Sequence, residues 1–85
     1  MSFSKQTWEQ LKNKTKDDLI SALLRDGFVP DVYIRTERIY RHPDGRKISI
    51  HYHKGSDCFG RGLLIALLED IGWSETYMRK LKFIK

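Results

Sequence analysis

The sequence predicts an α+β domain of α-β-β-β-α order, in which a three-stranded antiparallel sheet carries helices on one face. Three observations point there. Leu19, Ile20, Leu23 and Leu24 recur at helical spacing between a Thr15 cap and a Gly27 stop. Two strand-like segments between Val32 and Tyr52 are joined by His42-Pro43-Asp44-Gly45, a turn in which Pro43 presets φ and Gly45 supplies a positive one. A second apolar run, Leu63 to Leu68 with Ile71, is long enough for a packed helix and too short to span a bilayer.

In chain order, Ser4 caps a short first helix to Lys12, with Trp8 and Leu11 on one side. Thr15 then caps a helix over residues 16–26, with Asp17 and Asp18 in the first turn, where the dipole favours negative charge. Phe28 to Arg35 follows as a strand with Phe28, Val32 and Ile34 alternating, and Pro30 restricts it to an edge or a bulged start. Tyr33 and Arg35 point to the other face, where Tyr33 could stack on a base if that face is the open one. Lys54 to Gly60 is a loop. The apolar helix from Gly62 ends at Gly72, and Ser74 caps a last short helix that buries Tyr77 or Met78 and Leu81.

The hairpin register decides which residues share a face. A three-residue loop, Pro43 to Gly45, sets Tyr40 against Ile48, Arg38 against Ile50 and Glu37 against His51. A two-residue loop would set Tyr40 against Lys47. A one-residue slip exchanges the faces, so the apolar pattern selects the first register. It gathers Tyr40, Ile48, Ile50 and Tyr52 on one face, with Arg38 the exception. Glu37, Ile39, Arg41, Lys47, Ser49, His51 and His53 take the other, which the helices leave open to solvent.

The 85 residues make one domain, 1–85, with a core over 15–81 and an N-terminal helical extension over 1–14. Sixteen Lys and Arg against eleven Asp and Glu give a net charge of +5, which suits phosphates, acidic lipid or an acidic protein. The single cysteine, Cys58, excludes an internal disulfide and favours a reducing, cytoplasmic setting. The N-terminus has no apolar signal core, and no membrane association is expected.

Metal-free RNA cleavage needs a base for the 2′-hydroxyl, an acid for the leaving oxygen, and cations around the phosphate. Glu37 as base and His51 or His53 as acid could supply the first two, because cross-strand partners have Cβ atoms roughly 4.5–5.5 Å apart. Arg35, Arg38, Arg41, Arg46, Lys47 and Lys54, on or around the sheet, are the candidates to track an RNA backbone. The plainer alternative is a solvated charge pair worth about 0.2–1 kcal/mol. His51 and His53 could also grip a metal with Glu37 or Asp57 as third ligand, but cleavage on this face needs none, and no metal or cofactor is expected. His42 reads as a turn residue that bonds locally, and Cys58 as a small loop or core filler.

Four stretches carry a family resemblance: Leu23-Leu24-Arg25-Asp26-Gly27-Phe28, Tyr40-Arg41-His42-Pro43-Asp44-Gly45-Arg46, His53-Lys54-Gly55 and Ile71-Gly72-Trp73. Together, over roughly residues 15–81, the chain resembles the HicA (YcfA-like) family of toxins. The resemblance implies a fold like that of double-stranded-RNA-binding domains, mRNA interferase activity, and a HicB-like antitoxin that covers the basic sheet face. The family's catalytic histidine lies in a Gly-Ser-His element, which falls without gaps on Arg35-Thr36-Glu37, so that Glu37 stands at the histidine's position.

Overall fold

A computed structural model describes residues 3–85. The chain runs α1 (Lys5–Leu11), α2 (Lys16–Asp26), β1 (Val29–Ile34), β2 (Glu37–Arg41), β3 (Lys47–His51), α3 (Arg61–Ile71) and α4 (Glu75–Lys80). The class is α+β, with an open antiparallel sheet in the order β1-β2-β3 and helices flanking it.

Both ends of α2 follow from local chemistry. The Thr15 hydroxyl accepts from the Asp18 amide at 3.1 Å, and the Asp18 carboxylate accepts from the Thr15 amide at 3.0 Å. This reciprocal cap satisfies two of the amides a helix start leaves orphaned, and a good cap is worth about 1 kcal/mol. At the other end Gly27 has φ +108°, and a Cβ there would lie 3.1 Å from His42 Nε2. Conformation and space both select glycine.

The hairpin adopts the three-residue loop. Gly45 has φ +102°, its amide donates to the His42 carbonyl at 2.9 Å, and the His42 amide donates to the Arg46 carbonyl at 2.8 Å. Glu37 faces His51, Arg38 faces Ile50, and Tyr40 faces Ile48. Tyr40, Ile48 and Ile50 are buried, while Glu37, Arg41, Lys47, Ser49 and His51 are exposed. One face therefore builds the core, with Leu19, Ala22 and Leu23 of α2 and Leu64, Leu67, Leu68 and Ile71 of α3. Each buried Leu or Ile among them contributes about 1.5–3 kcal/mol.

Strand β1 departs from the simple alternation. Its register against β2 shifts between Pro30 and Val32, leaving Asp31 as the extra residue of a bulge. Beyond it Val32 pairs with Ile39 and Ile34 with Glu37, so both turn to the open face. Tyr33 pairs with Arg38 and brings its hydroxyl 3.3 Å from that of Tyr40. Tyr33 thus lies on the Tyr40 side of the sheet, and the expected base-stacking position on the open face is corrected by the bulge. Leu24, expected in the buried stripe of α2, is 48% exposed, because Leu19, Ala22 and Leu23 take the core side.

The packed core is longer than the expected 15–81. Leu11 of α1 is fully buried, as are Phe83 and Ile84 near the C-terminus. The Lys85 amide donates to Gln10 Oε1 at 2.6 Å, closing the two ends together. Residues 82–85 are therefore a docked segment, and α1 is part of the domain.

A polar clasp ties the elements. The Asp26 side chain is 2% exposed. It accepts from Trp73 Nε1 at 3.0 Å and from the Tyr77 hydroxyl at 2.5 Å, and it meets Arg46 Nη1 at 3.1 Å. Arg46 also donates to the Ile71 carbonyl at 2.8 Å and to Asp44 at 2.8 Å. His42 Nδ1 accepts from the Asp44 amide, so its Nε2–H donates to the Asp26 carbonyl at 2.9 Å. The turn role expected for His42 is what the geometry gives it.

Candidate functional site: the open sheet face

Glu37, His51 and His53 come together at the end of the open face beside the β1–β2 turn. The Ser49 hydroxyl donates to Glu37 Oε2 at 2.6 Å. His51 Nδ1 lies 3.4 Å from both Glu37 Oε1 and Thr36 Oγ1. His51 Nε2 lies 2.9 Å from His53 Nε2, with the rings edge to face at 4.6 Å between centroids. The Ser49 bond, and then the His51 bond, hold the Glu37 carboxyl below its ordinary range, and the charges of His51 and Lys16 act in the same sense.

This network sets the protons. An ionised carboxylate only accepts, so His51 carries its proton on Nδ1, aimed at Glu37. In that tautomer His51 offers a lone pair at Nε2, to which His53 can donate through Nε2–H. A carboxylate behind one imidazole, with a second imidazole in front, forms a continuous proton path across β2 and β3. Glu37, with both oxygens engaged, suits the orienting role better than the basic role expected of it, and the basic lone pair at His51 Nε2 is one that His53 engages.

The six basic candidates divide. Lys47 is exposed on the open face opposite Arg41, whose Nε donates to Asp31 at 2.5 Å. These two lie at the far end of the strands, roughly 13 Å from His51 along β3. Arg35, in the β1–β2 turn, and Lys54, just past His53, are exposed near the histidine end. Arg38 is elsewhere: its guanidinium stands 4.7 Å from the Tyr33 ring centroid and 3.8 Å from that of Tyr52, on the Tyr40 side. Arg46 is spent in the clasp. The sequence could place these two near the sheet but not show that each had another partner.

Lys16 is a contributor that sequence reasoning missed. It is buried to 7% exposure, with its ammonium 4.2 Å from the Phe59 ring centroid, and its charge reaches Glu37. One signal was present, since a lysine in the first turn of a helix opposes the dipole and calls for a reason elsewhere. Gly55 also matters here: a Cβ on it would fall 1.8 Å from Asp17 Oδ2, and Asp17 holds the Tyr52 hydroxyl at 2.8 Å. The close approach fixes the loop that leaves His53.

Apart from Ser49 on β3, the face beside the histidine end is apolar along β1 and the middle of β2. Val29, Val32 and Ile34 are exposed there, with Ile39 half-buried among them. Among the described residues no group of three or more His, Cys, Asp and Glu could hold a metal ion, and no helix is long and apolar enough to cross a membrane. No protein-family model and no curated protein matches the chain.

Proposed function

We propose that this chain is an RNA-cleaving toxin of HicA type, a metal-independent endoribonuclease acting on mRNA in the cytoplasm and restrained by a HicB-like antitoxin. The observation that carries the proposal is the Glu37–His51–His53 chain on an open face rimmed by Arg35, Lys54 and Lys47. An RNA phosphate that breaks the 2.9 Å bond between the two Nε2 atoms and parts the exposed rings meets a lone pair on His51 and a proton on His53. His51 takes the 2′-hydroxyl proton, the freed oxygen attacks phosphorus, and His53 gives its proton to the departing 5′-oxygen. Glu37 orients His51 and balances its charge; Lys47, Lys54 and Arg35 hold neighbouring phosphates.

The resemblance gains support from the backbone. Arg35 stands where the family's Gly-Ser-His element has glycine, and its φ is +53°, a conformation that glycine adopts most easily. That agreement favours the gapless alignment, and with it Glu37 at the histidine's position.

Induced expression of the chain alone should arrest growth, and His51→Ala should relieve the arrest while the variant still accumulates folded. Arrest that persists in the variant would remove the mechanism. A second reading, a non-catalytic protein-interaction module, is favoured by one observation. Val29, Val32 and Ile34 of β1 are exposed together on the open face, a patch of the kind that marks partner sites. Harmless expression of the wild type would put that reading ahead.

A further inference from the structure

The geometry points to a two-histidine site for a divalent transition metal, zinc being the type ion, formed by Nε2 of His51 and Nε2 of His53. Three observations carry it. The two Nε2 atoms converge at 2.9 Å. A tetrahedral zinc with bonds of about 2.0–2.1 Å separates neighbouring nitrogens by roughly 3.3 Å. A few tenths of an ångström of opening would admit the ion, and both side chains are on the surface with room to give it. Third, Glu37 Oε1 stands 3.4 Å from His51 Nδ1, placed to receive its N–H. A carboxylate on the far nitrogen is the arrangement that fixes the tautomer and raises the basicity of a ligating histidine.

On binding, zinc replaces the proton that bridges the two rings. His51 keeps its Nδ1–H on Glu37 and offers Nε2; His53 moves its proton to Nδ1 through solvent and offers Nε2 in turn. No covalent step and no net change of charge on the ligands is needed. With two protein ligands, the remaining positions fall to water, so the ion is exchangeable and removable by chelator rather than a permanent part of the fold. It also occupies the lone pair and displaces the proton that cleavage would use. Resting on the proposed ribonuclease function, the site is therefore inhibitory.

Calorimetric titration of the full chain with zinc chloride tests the site directly, without reference to RNA. One zinc per chain is expected for the wild type and for Cys58→Ser. His51→Ala and His53→Ala should each weaken binding at least tenfold, and Glu37→Gln should weaken it by about 10–100-fold. Imidazole nitrogen resonances should show both Nε2 atoms shifting on zinc addition while the His51 Nδ1–H remains. Undiminished binding in both histidine variants, loss of binding in Cys58→Ser, or no binding by the wild type would overturn the site. Inhibition is read separately: one equivalent of zinc should stop RNA cleavage, and excess EDTA should restore it. If the chain cleaves no RNA at all, the functional proposal falls, and the titration still decides the metal site. Cleavage unaffected by bound zinc would overturn the inhibitory role.

Discussion

The Asp26 carboxylate meets the Arg46 guanidinium at 3.1 Å in a setting where Asp26 is 2% exposed. The two residues are twenty positions apart, one ending α2 and the other leaving the β2–β3 turn. Around them Trp73 and Tyr77 complete the acceptor's partners, and His42 bonds the Asp26 carbonyl. The stretches that carry the family resemblance on α2, in the hairpin and after α3 therefore meet at one structural clasp. Their work is to hold the sheet against α2 and α4, on the side away from Glu37, His51 and His53.

Removing the centre of the clasp should be costly. Asp26→Ala leaves an indole N–H and a phenol hydroxyl without their acceptor and takes from Arg46 one of its partners, Asp44 and the Ile71 carbonyl remaining; the loss should cost about 2–5 kcal/mol. Asp26→Asn keeps one carbonyl acceptor and should cost about 1–3 kcal/mol. Urea unfolding of the two variants beside the wild type checks both the magnitude and the order.

The same carboxylate makes stability depend on acid. Burial pushes the Asp26 pKa up, but the Tyr77 and Trp73 hydrogen bonds and the Arg46 charge outweigh it, so the folded value lies below the ordinary 3.8. A carboxyl depressed by folding contributes stability that is fully present above its unfolded pKa and is lost as pH falls through the folded value. The melting temperature of the wild type should therefore fall below about pH 4, and the gap between wild type and Asp26→Asn should narrow over the same range. A gap unchanged from pH 7 to pH 3 would contradict the pairing.

RNA binding should distinguish the cations on the open face from those inside the fold. Lys47→Ala and Lys54→Ala should each weaken binding and lower the slope of log affinity against log salt by about 0.7 for single-stranded RNA. Arg46→Ala should instead lower the unfolding free energy and leave the slope nearly unchanged wherever the variant is folded. Binding isotherms at four salt concentrations make the comparison.

Much of this was legible in the sequence, for reasons that are local. The span of α2 follows from Thr15 and Gly27, which mark its ends within a single turn each. The hairpin register follows from Gly45 and the alternation of Tyr40, Ile48 and Ile50, and it alone places Glu37 against His51. What stayed hidden depends on distant partners. Nothing near Pro30 says that Asp31 will bulge and turn Tyr33 to the Tyr40 side. Nothing near Arg46 announces Asp26 or the Ile71 carbonyl. Phe83 and Ile84 read as a short end among lysines, and only their burial, with Phe83 against Trp73 and Lys85 bonded to Gln10, shows that they close the core. The Nε2 contact between His51 and His53 was legible as a shared face, but not as a bond.

Incubation of the purified, partner-free chain with a long single-stranded RNA in EDTA, beside His51→Ala, His53→Ala and Glu37→Gln, decides whether the open face cleaves RNA through its two histidines. Cleavage by the wild type is expected. The two histidine variants should lose at least about 100-fold, as general acid–base groups do, and Glu37→Gln should lose tenfold or more through misorientation of His51. RNA left intact by the wild type, or cut equally well by His51→Ala, would contradict that role.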